Sequence, residues 1–225
     1  MTVDNPSIRQ ITDADPDTVD RLAAVMAEAF NTRDDPMYDA LYGGDTVPDV
    51  DDFNLVRCKG RVYDAIVNKL VFAIEEGDKI AAFATVFPPG VHSTKPTQNP
   101  YSAELEARTP SAILPTQNHF HDTIDSFERN AFGTDHYYVC FLATARWARR
   151  RGLAARLLDH VLEMARKEGK ITTLTTATES NVSTVRRKVT DWQVPYYEKQ
   201  GFKLVAKSNV ELRGIDVPLW AFIKQ

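Results

Sequence analysis

Cysteine is scarce. Cys58 and Cys140 are the two in 225 residues, too few for a disulfide framework, so a reducing compartment, the cytoplasm, is expected. No apolar run approaches the ~20 residues of a membrane span. Met1 to Ile11 is polar and lacks the apolar centre of a signal peptide. Nor does one sign of charge dominate. With 27 Lys and Arg against 31 Asp and Glu, the formal net charge is -4, which argues against nucleic acid or an anionic membrane as the main partner. Internal repeats are absent. His119-x-His121 hints at a metal, but no third or fourth ligand stands at a suitable spacing, so no metal is expected.

What is present suits one globular domain over residues 1–225, as a monomer or homodimer: 43% hydrophobic and 26% charged residues. Ser7 to Ile11 alternates as a short strand. Val19 to Phe30 carries Leu22, Val25, Met26 and Phe30 on one helical face, and Pro36 to Tyr42 and Phe53 to Val67 read as further helices. Leu70 to Glu75 and Ile80 to Phe87 are strands about a Gly77-Asp78 turn. The insertion 88–115 is rich in proline (Pro88, Pro89, Pro96, Pro100, Pro110, Pro115) and reads as a long loop, a lid or a surface excursion, with a short helix at Tyr101 to Arg108. Gln117 to Phe132 is a helix with Phe120, Ile124 and Phe127 inward. Lys170 to Ala177 is a Thr-rich strand, 181–193 a second insertion, and Phe202 to Asn209 and Val217 to Ile223 the last strands, joined through Arg213-Gly214. This order implies a mixed α/β sheet with helices on both faces.

The stretch Tyr137 to Met164 organises the rest. Tyr137 to Thr144 is uncharged, aromatic and β-branched, so it reads as a strand buried on both faces. An arginine-rich turn, Arg146 to Gly152, leads into a helix whose Leu153, Leu157, Leu158, Val161, Leu162 and Ala165 form one apolar stripe, stopped by Gly169. First-turn amides have no intrahelical acceptor, and the helix dipole adds partial positive charge. With small Gly152 and Ala154 and cationic Arg149, Arg150 and Arg151 around them, the turn suits a phosphate-bearing ligand.

Arg149-x-x-Gly152-x-Ala154 after an apolar strand resembles the acetyl-CoA pyrophosphate loop of the GNAT N-acetyltransferase superfamily. Val194 to Phe202, ending Tyr197-x-x-x-Gly201-Phe202, resembles that family's C-terminal signature. The likeness is nearest to small-molecule enzymes of the fungal and puromycin-acetyltransferase type. It implies the GNAT fold, a mostly antiparallel twisted sheet whose central strands splay apart. It implies acetyl-CoA held by Leu142, Ala143 and Thr144 on the splayed strand and by Arg149, Arg150, Arg151, Gly152, Leu153, Ala154 and Ala155 at the turn and helix start. Asn181 takes a place where the family often contacts coenzyme A. Ala27 to Pro36 and the helix after it would form part of the acceptor pocket.

The implied activity is direct acetyl transfer to the amine of a small molecule. A peptide or protein amine, or acyl-CoA binding without catalysis, is the alternative. Tyr197 is the expected general acid on the family motif. The family's strand carboxylates are replaced by Tyr138 and Thr175, so His136, at the strand entrance, and Glu179, after the Thr-rich strand, are the nearest titratable alternatives for the base. His119 and His121 are expected at the pocket mouth. Asp34, Asp35, Asp39 and Asp45 to Asp52 would attract a cationic acceptor or serve only as solubilising charge.

Overall fold

The computed structural model describes residues 7–30, 36–42, 49–91, 99–177 and 193–225. Glu179, Asn181, Asp34 and Asp35 lie outside them. Among the described residues, β1 (Ile8–Ile11) leads to helices α1 (Pro16–Phe30), α2 (Pro36–Tyr42) and α3 (Val50–Asn68), then the hairpin β2 (Leu70–Glu76) and β3 (Lys79–Phe87). Helices α4 (Ser102–Arg108) and α5 (Leu114–Phe132) precede β4 (His136–Thr144), α6 (Leu153–Lys167) and β5 (Ile171–Ala177). The short α7 (Gln193–Lys199) and the hairpin β6 (Lys203–Leu212) and β7 (Ile215–Lys224) follow. Arg213 and Gly214 both have positive φ, which matches the twist of a two-residue hairpin and favours glycine at the second place.

The strands form one seven-stranded sheet in the order β1-β2-β3-β4-β5-β7-β6. Every neighbour is antiparallel except β4 and β5, the pair joined through α6, as a crossover requires. Faces are read from contacts. His160 of α6 stacks on Phe72 of β2, while Phe30 of α1 stacks on Phe141 of β4. Phe72 pairs with Ala84 and Phe141 pairs with Thr85, adjacent residues of β3, so α6 and α1 lie on opposite faces. The helix α6 buries Leu153, Leu157, Leu158, Val161 and Ala165, the predicted stripe, with Leu162 half-buried at its edge. The mixed α/β sheet with helices on both faces is as expected.

Two expectations are corrected. β4 is not buried on both faces: Cys140, Phe141, Leu142 and Thr144 are each half-exposed. An apolar strand lining a cleft has the same composition as one in a core. The stretch 99–115 is not a loop. It is largely helical and fastened to α3: Asn99 Nδ2 donates to the Gly60 carbonyl at 2.9 Å and to Asp64 Oδ1 at 2.8 Å, and Tyr63 and Tyr101 stack edge-on at 6.3 Å. Arg108 pairs with Asp52 and Glu104, Ile113 is buried, and α5 begins with Pro115 in its first turn.

Asn99 also accepts the Tyr101 N–H at 2.9 Å, so one side chain holds the α4 segment to α3. Replacing Asn99 with Ala leaves part-buried Asp64 and the Gly60 carbonyl without that donor. A loss of about 1–3 kcal/mol in urea unfolding is expected, with faster proteolysis near residues 99–108; unchanged stability and cleavage would contradict this fastening.

Candidate active site

The central feature is a fork. β4 and β5 pair at His136–Ile171, Tyr137–Thr172 and Tyr138–Thr173, and then share no further ladder pair. Beyond that point, among the described residues, β4 pairs with β3 alone and β5 with β7 alone. An irregularity in the β3 ladder makes Cys140 an extra residue, so β4 bends as it leaves the fork. The backbone edge of Leu142, Ala143 and Thr144 that faces β5 is left open to a ligand.

Beside the open end lies the start of α6. Gly152 caps it at φ 77°, with no side-chain cap, and a Cβ there would meet nothing within 4 Å. Arg150 also has positive φ, so the turn alternates in hand and points successive N–H groups to one side. The first intrahelical bond runs from Arg156 N–H to the Gly152 carbonyl, leaving the N–H groups of Leu153, Ala154 and Ala155 ahead of it. The three arginines differ. Arg149 donates to the Thr144 carbonyl at 3.3 Å, tying the turn to the strand end, and Arg150 is exposed. Arg151 is taken up by Glu76 at 2.5 and 3.1 Å. The cradle therefore rests on backbone N–H groups, with Arg149 and Arg150 beside it.

On the α6 face, Tyr197 is half-buried between Phe202 and Phe222, at 6.0 and 5.6 Å between ring centres. Phe222 is the ladder partner of Leu174, on the β5 lip of the fork. Burial pushes the Tyr197 phenol up to about 12, so it is protonated at neutral pH. Tyr196 stands edge-on to it at 5.2 Å.

The opposite face holds a residue that the sequence reading missed. The Tyr138 hydroxyl donates to Glu128 Oε1 of α5. The buried Thr175 hydroxyl, which has no hydrogen-bond partner within bonding distance among the described residues, lies beside the same carboxyl. Tyr138 and Thr175 flank the fork just where it opens, and they are the positions where family carboxylates were sought. The carboxylate comes from a helix above the strands instead. Burial pushes Glu128 up to about 7, although the Tyr138 and Thr175 hydroxyls pull the other way. It lines a small hollow of about 50 Å³ with Asp125, Arg129, Phe87 and His136. His136 is buried at the closed end, packed on Phe132 at 5.5 Å and Tyr138 at 6.5 Å. His119 and His121 are exposed on α5. Glu128 follows Ile124 by one helical turn, and an acid on the flank of an apolar stripe is the sequence signal that would have found it.

Residues 46–202 match the model of the acetyltransferase (GNAT) family. No curated protein sequence matches the chain. Its fold is similar to that of a Corynebacterium glutamicum protein described as histone acetyltransferase HPA2 and related acetyltransferase, at 17% identity and TM-score 0.58, covering 97% of this chain and 95% of that one. It is similar to a Drosophila melanogaster polyamine N-acetyltransferase that forms N-acetylagmatine, at 13% identity and TM-score 0.58, covering 97% and 100%. A mosquito arylalkylamine N-acetyltransferase like 5b is also similar, at 16% identity and TM-score 0.55, covering 97% and 99%.

The folded carboxyl of Glu128 sits above its ordinary value of 4.5. Its protonated form is favoured by folding, so stability falls as pH rises from 4.5 to about 7 and is flat beyond. Glu128→Gln is expected to remove that fall in urea titrations across this range. Tyr138→Phe removes a bond that favours the ionised form, so the carboxyl midpoint followed by ¹³C NMR should rise. A midpoint that falls would contradict the assigned geometry.

Proposed function

The chain belongs to the acetyltransferase (GNAT) family and is an acyltransferase, and from that premise we propose that it moves an acetyl group from acetyl-CoA directly to the amine of a small molecule. The observation that carries this reading is the fork: a β4 edge that β5 has left, with a glycine-capped helix start at one end and a part-buried carboxyl at the other. Cys140 and Phe141 are half-exposed on β4, and Phe141 lies on the face that Arg61 of α3 and Glu128 of α5 overhang, which suits a compact acceptor better than a flat protein surface. The narrower likeness to the puromycin type is not retained, because Thr175 stands where that type has its acid.

The roles follow from placement. The pyrophosphate of acetyl-CoA meets the N–H groups of Leu153, Ala154 and Ala155, with Gly152 leaving room for close approach. The pantetheine arm runs along the β4 edge from Leu142 through Ala143 to Thr144, where β5 has parted from it and Arg149 holds the Thr144 carbonyl. The acceptor arrives on the α5 face as an ammonium, and the Glu128 carboxylate takes one proton from it. The free nitrogen attacks the thioester carbonyl; the C–N bond forms and the C–S bond breaks. The Tyr197 phenol donates to the departing sulfur, and a second proton leaves the nitrogen, so each turnover releases amide, free thiol and one proton. His136 steadies the Tyr138 ring at the closed end of the fork. Glu179 and Asn181 have no part in this account.

Gly152→Glu should abolish acetyl-CoA binding in calorimetry, since it fills the cradle and adds a repelling charge; retained affinity would refute the donor assignment. Tyr197→Phe should lower kcat at least tenfold with little change in acetyl-CoA affinity. For the wild type, kcat/KM should rise with pH through about 7 and level off above it, because only the ionised carboxyl accepts a proton. Glu128→Gln should lose that limb together with most of the activity; a limb that persists would assign the base elsewhere.

A further inference from the structure

On the same face of β4 as Glu128, α3 carries charge of the other sign. Arg57, Arg61 and Lys69 follow one another at helical steps of four and eight, along one face of α3 and its end. Arg57 is only 6% exposed, and Arg61 and Lys69 are half-buried. Arg57 donates to Asn54 Oδ1 at 3.1 Å from Nε and to the Tyr38 hydroxyl at 3.2 Å from Nη2, and its guanidinium stands 4.2 Å from the centre of the Tyr42 ring. Arg61 donates to the Tyr42 hydroxyl at 3.1 Å and lies 5.4 Å from the Phe141 ring centre. Lys69 Nζ stands 3.9 Å over Phe87.

None of the three has a carboxylate within ion-pair distance among the described residues. Elsewhere Arg9, Arg21, Lys59, Arg108, Arg151 and Lys170 each have one. Asp64, one turn along from Arg61, accepts from Asn99 and feels Lys69 and Arg61 without forming an ion pair with either. Clustered cations partly withdrawn from water without an ion-paired carboxylate are costly, and such groups are rarely left so. Their field is felt nearby. The Tyr42 phenol is lowered although burial opposes it, because Arg57 and Arg61 flank it, while Lys69 is lowered by burial, with Arg61 adding to the effect.

The wall faces the reacting end. Arg61 lies over Phe141 and Glu128 is bonded by Tyr138, three residues earlier on β4 and roughly 10 Å away along a strand. Lys69 is nearer still, since Phe87 is the ladder partner of Tyr138. Burial raises the Cys140 thiol, Lys69 and Arg61 oppose that and Glu128 adds to it, so the thiol feels charge of both signs. Of the acidic residues expected to draw a cation, Asp34, Asp35 and Asp45 lie outside the described residues. Asp52 is paired with Arg108, and Asp39 is exposed on α2.

We infer that the acceptor carries an anionic group, a carboxylate or a phosphate, as well as its amine: the anion meets Arg61 and Lys69 while the amine meets Glu128 across the floor of β4. This rests on the acetyl-transfer reading above. A diamine would instead press its second cation against Arg61. Arg57, buried behind Tyr42, is a positioning residue that holds the ring and keeps the wall positive.

The test is a panel of amino acids, from α-amino to ω-amino, and aminoalkyl phosphates, each paired with its methyl ester or its decarboxylated or dephosphorylated amine. It is assayed by thiol release at saturating acetyl-CoA. The expected result is turnover of the anionic members with kcat/KM at least tenfold above their uncharged partners, the carboxylate and phosphate arms showing which anion is preferred. Arg61→Gln should narrow that ratio at least tenfold through KM for the anionic member. Lys69→Met, at the helix end, serves as the second variant should the first unfold. Uncharged or dicationic amines as the better substrates would overturn the inference, as would a ratio that survives both substitutions. So would a protein that binds acetyl-CoA yet turns over no member of the panel. Failure to bind acetyl-CoA would fall on the acetyl-transfer reading itself.

Discussion

The site depends on one interrupted ladder. Parallel strands at the centre of a sheet ordinarily stay paired along their length, because each unpaired N–H and C=O withdrawn from water costs free energy. Here β4 and β5 part after three pairs, and the separation holds because each lip is gripped from outside. β4 is held by β3 along Phe87 to Ala82, and beyond its end the Ala145 N–H bonds the Ala81 carbonyl and the Arg146 N–H bonds Glu28 of α1. β5 is held by β7 over Thr172 to Ala177. The sheet is therefore two sets of strands, β1-β2-β3-β4 and β5-β7-β6, joined at the closed end of the fork and by α6. The same α6 presents its N-terminus, without a side-chain cap, beside the open end, so the element that joins the two sets also supplies the proposed anion cradle.

Much of this is legible from residues alone. The stripe of α6, the strand before it, the glycine at its start and the Arg213-Gly214 hairpin each follow from a period or a backbone requirement that acts locally. What is not legible depends on distant partners. Three arginines in a row look equivalent, yet Arg151 is claimed by Glu76, 75 positions earlier. Prolines between 88 and 115 read as loop markers, although Pro100 and Pro115 stand just ahead of, or in the first turn of, helices, where proline is at home.

The charged groups of the cleft escaped for a related reason. Strand positions 138 and 175 were the places to look for a carboxylate, and both hold hydroxyls. Those hydroxyls turn out to be what a carboxyl from another element packs against. Glu128 and Arg57 each fall one helical turn from an inward apolar residue, Ile124 and Phe53. A charge in such a position breaks the helical pattern at a cost, and such breaks gather where a protein binds or reacts. The pattern marks the residues; only the placing of α3 and α5 over one face of β4 shows that the two elements share a floor.

The same desolvation prepares the proposed base and acid in different ways. It lifts Glu128 to about 7, high enough to accept a proton and low enough to be ionised in a neutral solution. It lifts Tyr197 to about 12, which makes it a weaker acid than a thiol in water at about 8.5. Full transfer to a free thiolate would then run uphill. The sulfur departs into the same apolar surroundings, however, and burial raises a thiol as it raises a phenol. As the C–S bond lengthens, a hydrogen bond from Tyr197 meets charge that water does not screen, and there a hydrogen bond is worth more than in solution. Leu174 and Thr175 point to opposite faces of β5, so the phenol packed behind the one and the carboxyl beside the other approach the fork from opposite sides. The reacting carbonyl between them is the one place both can serve, and water admitted there would undo both shifts together.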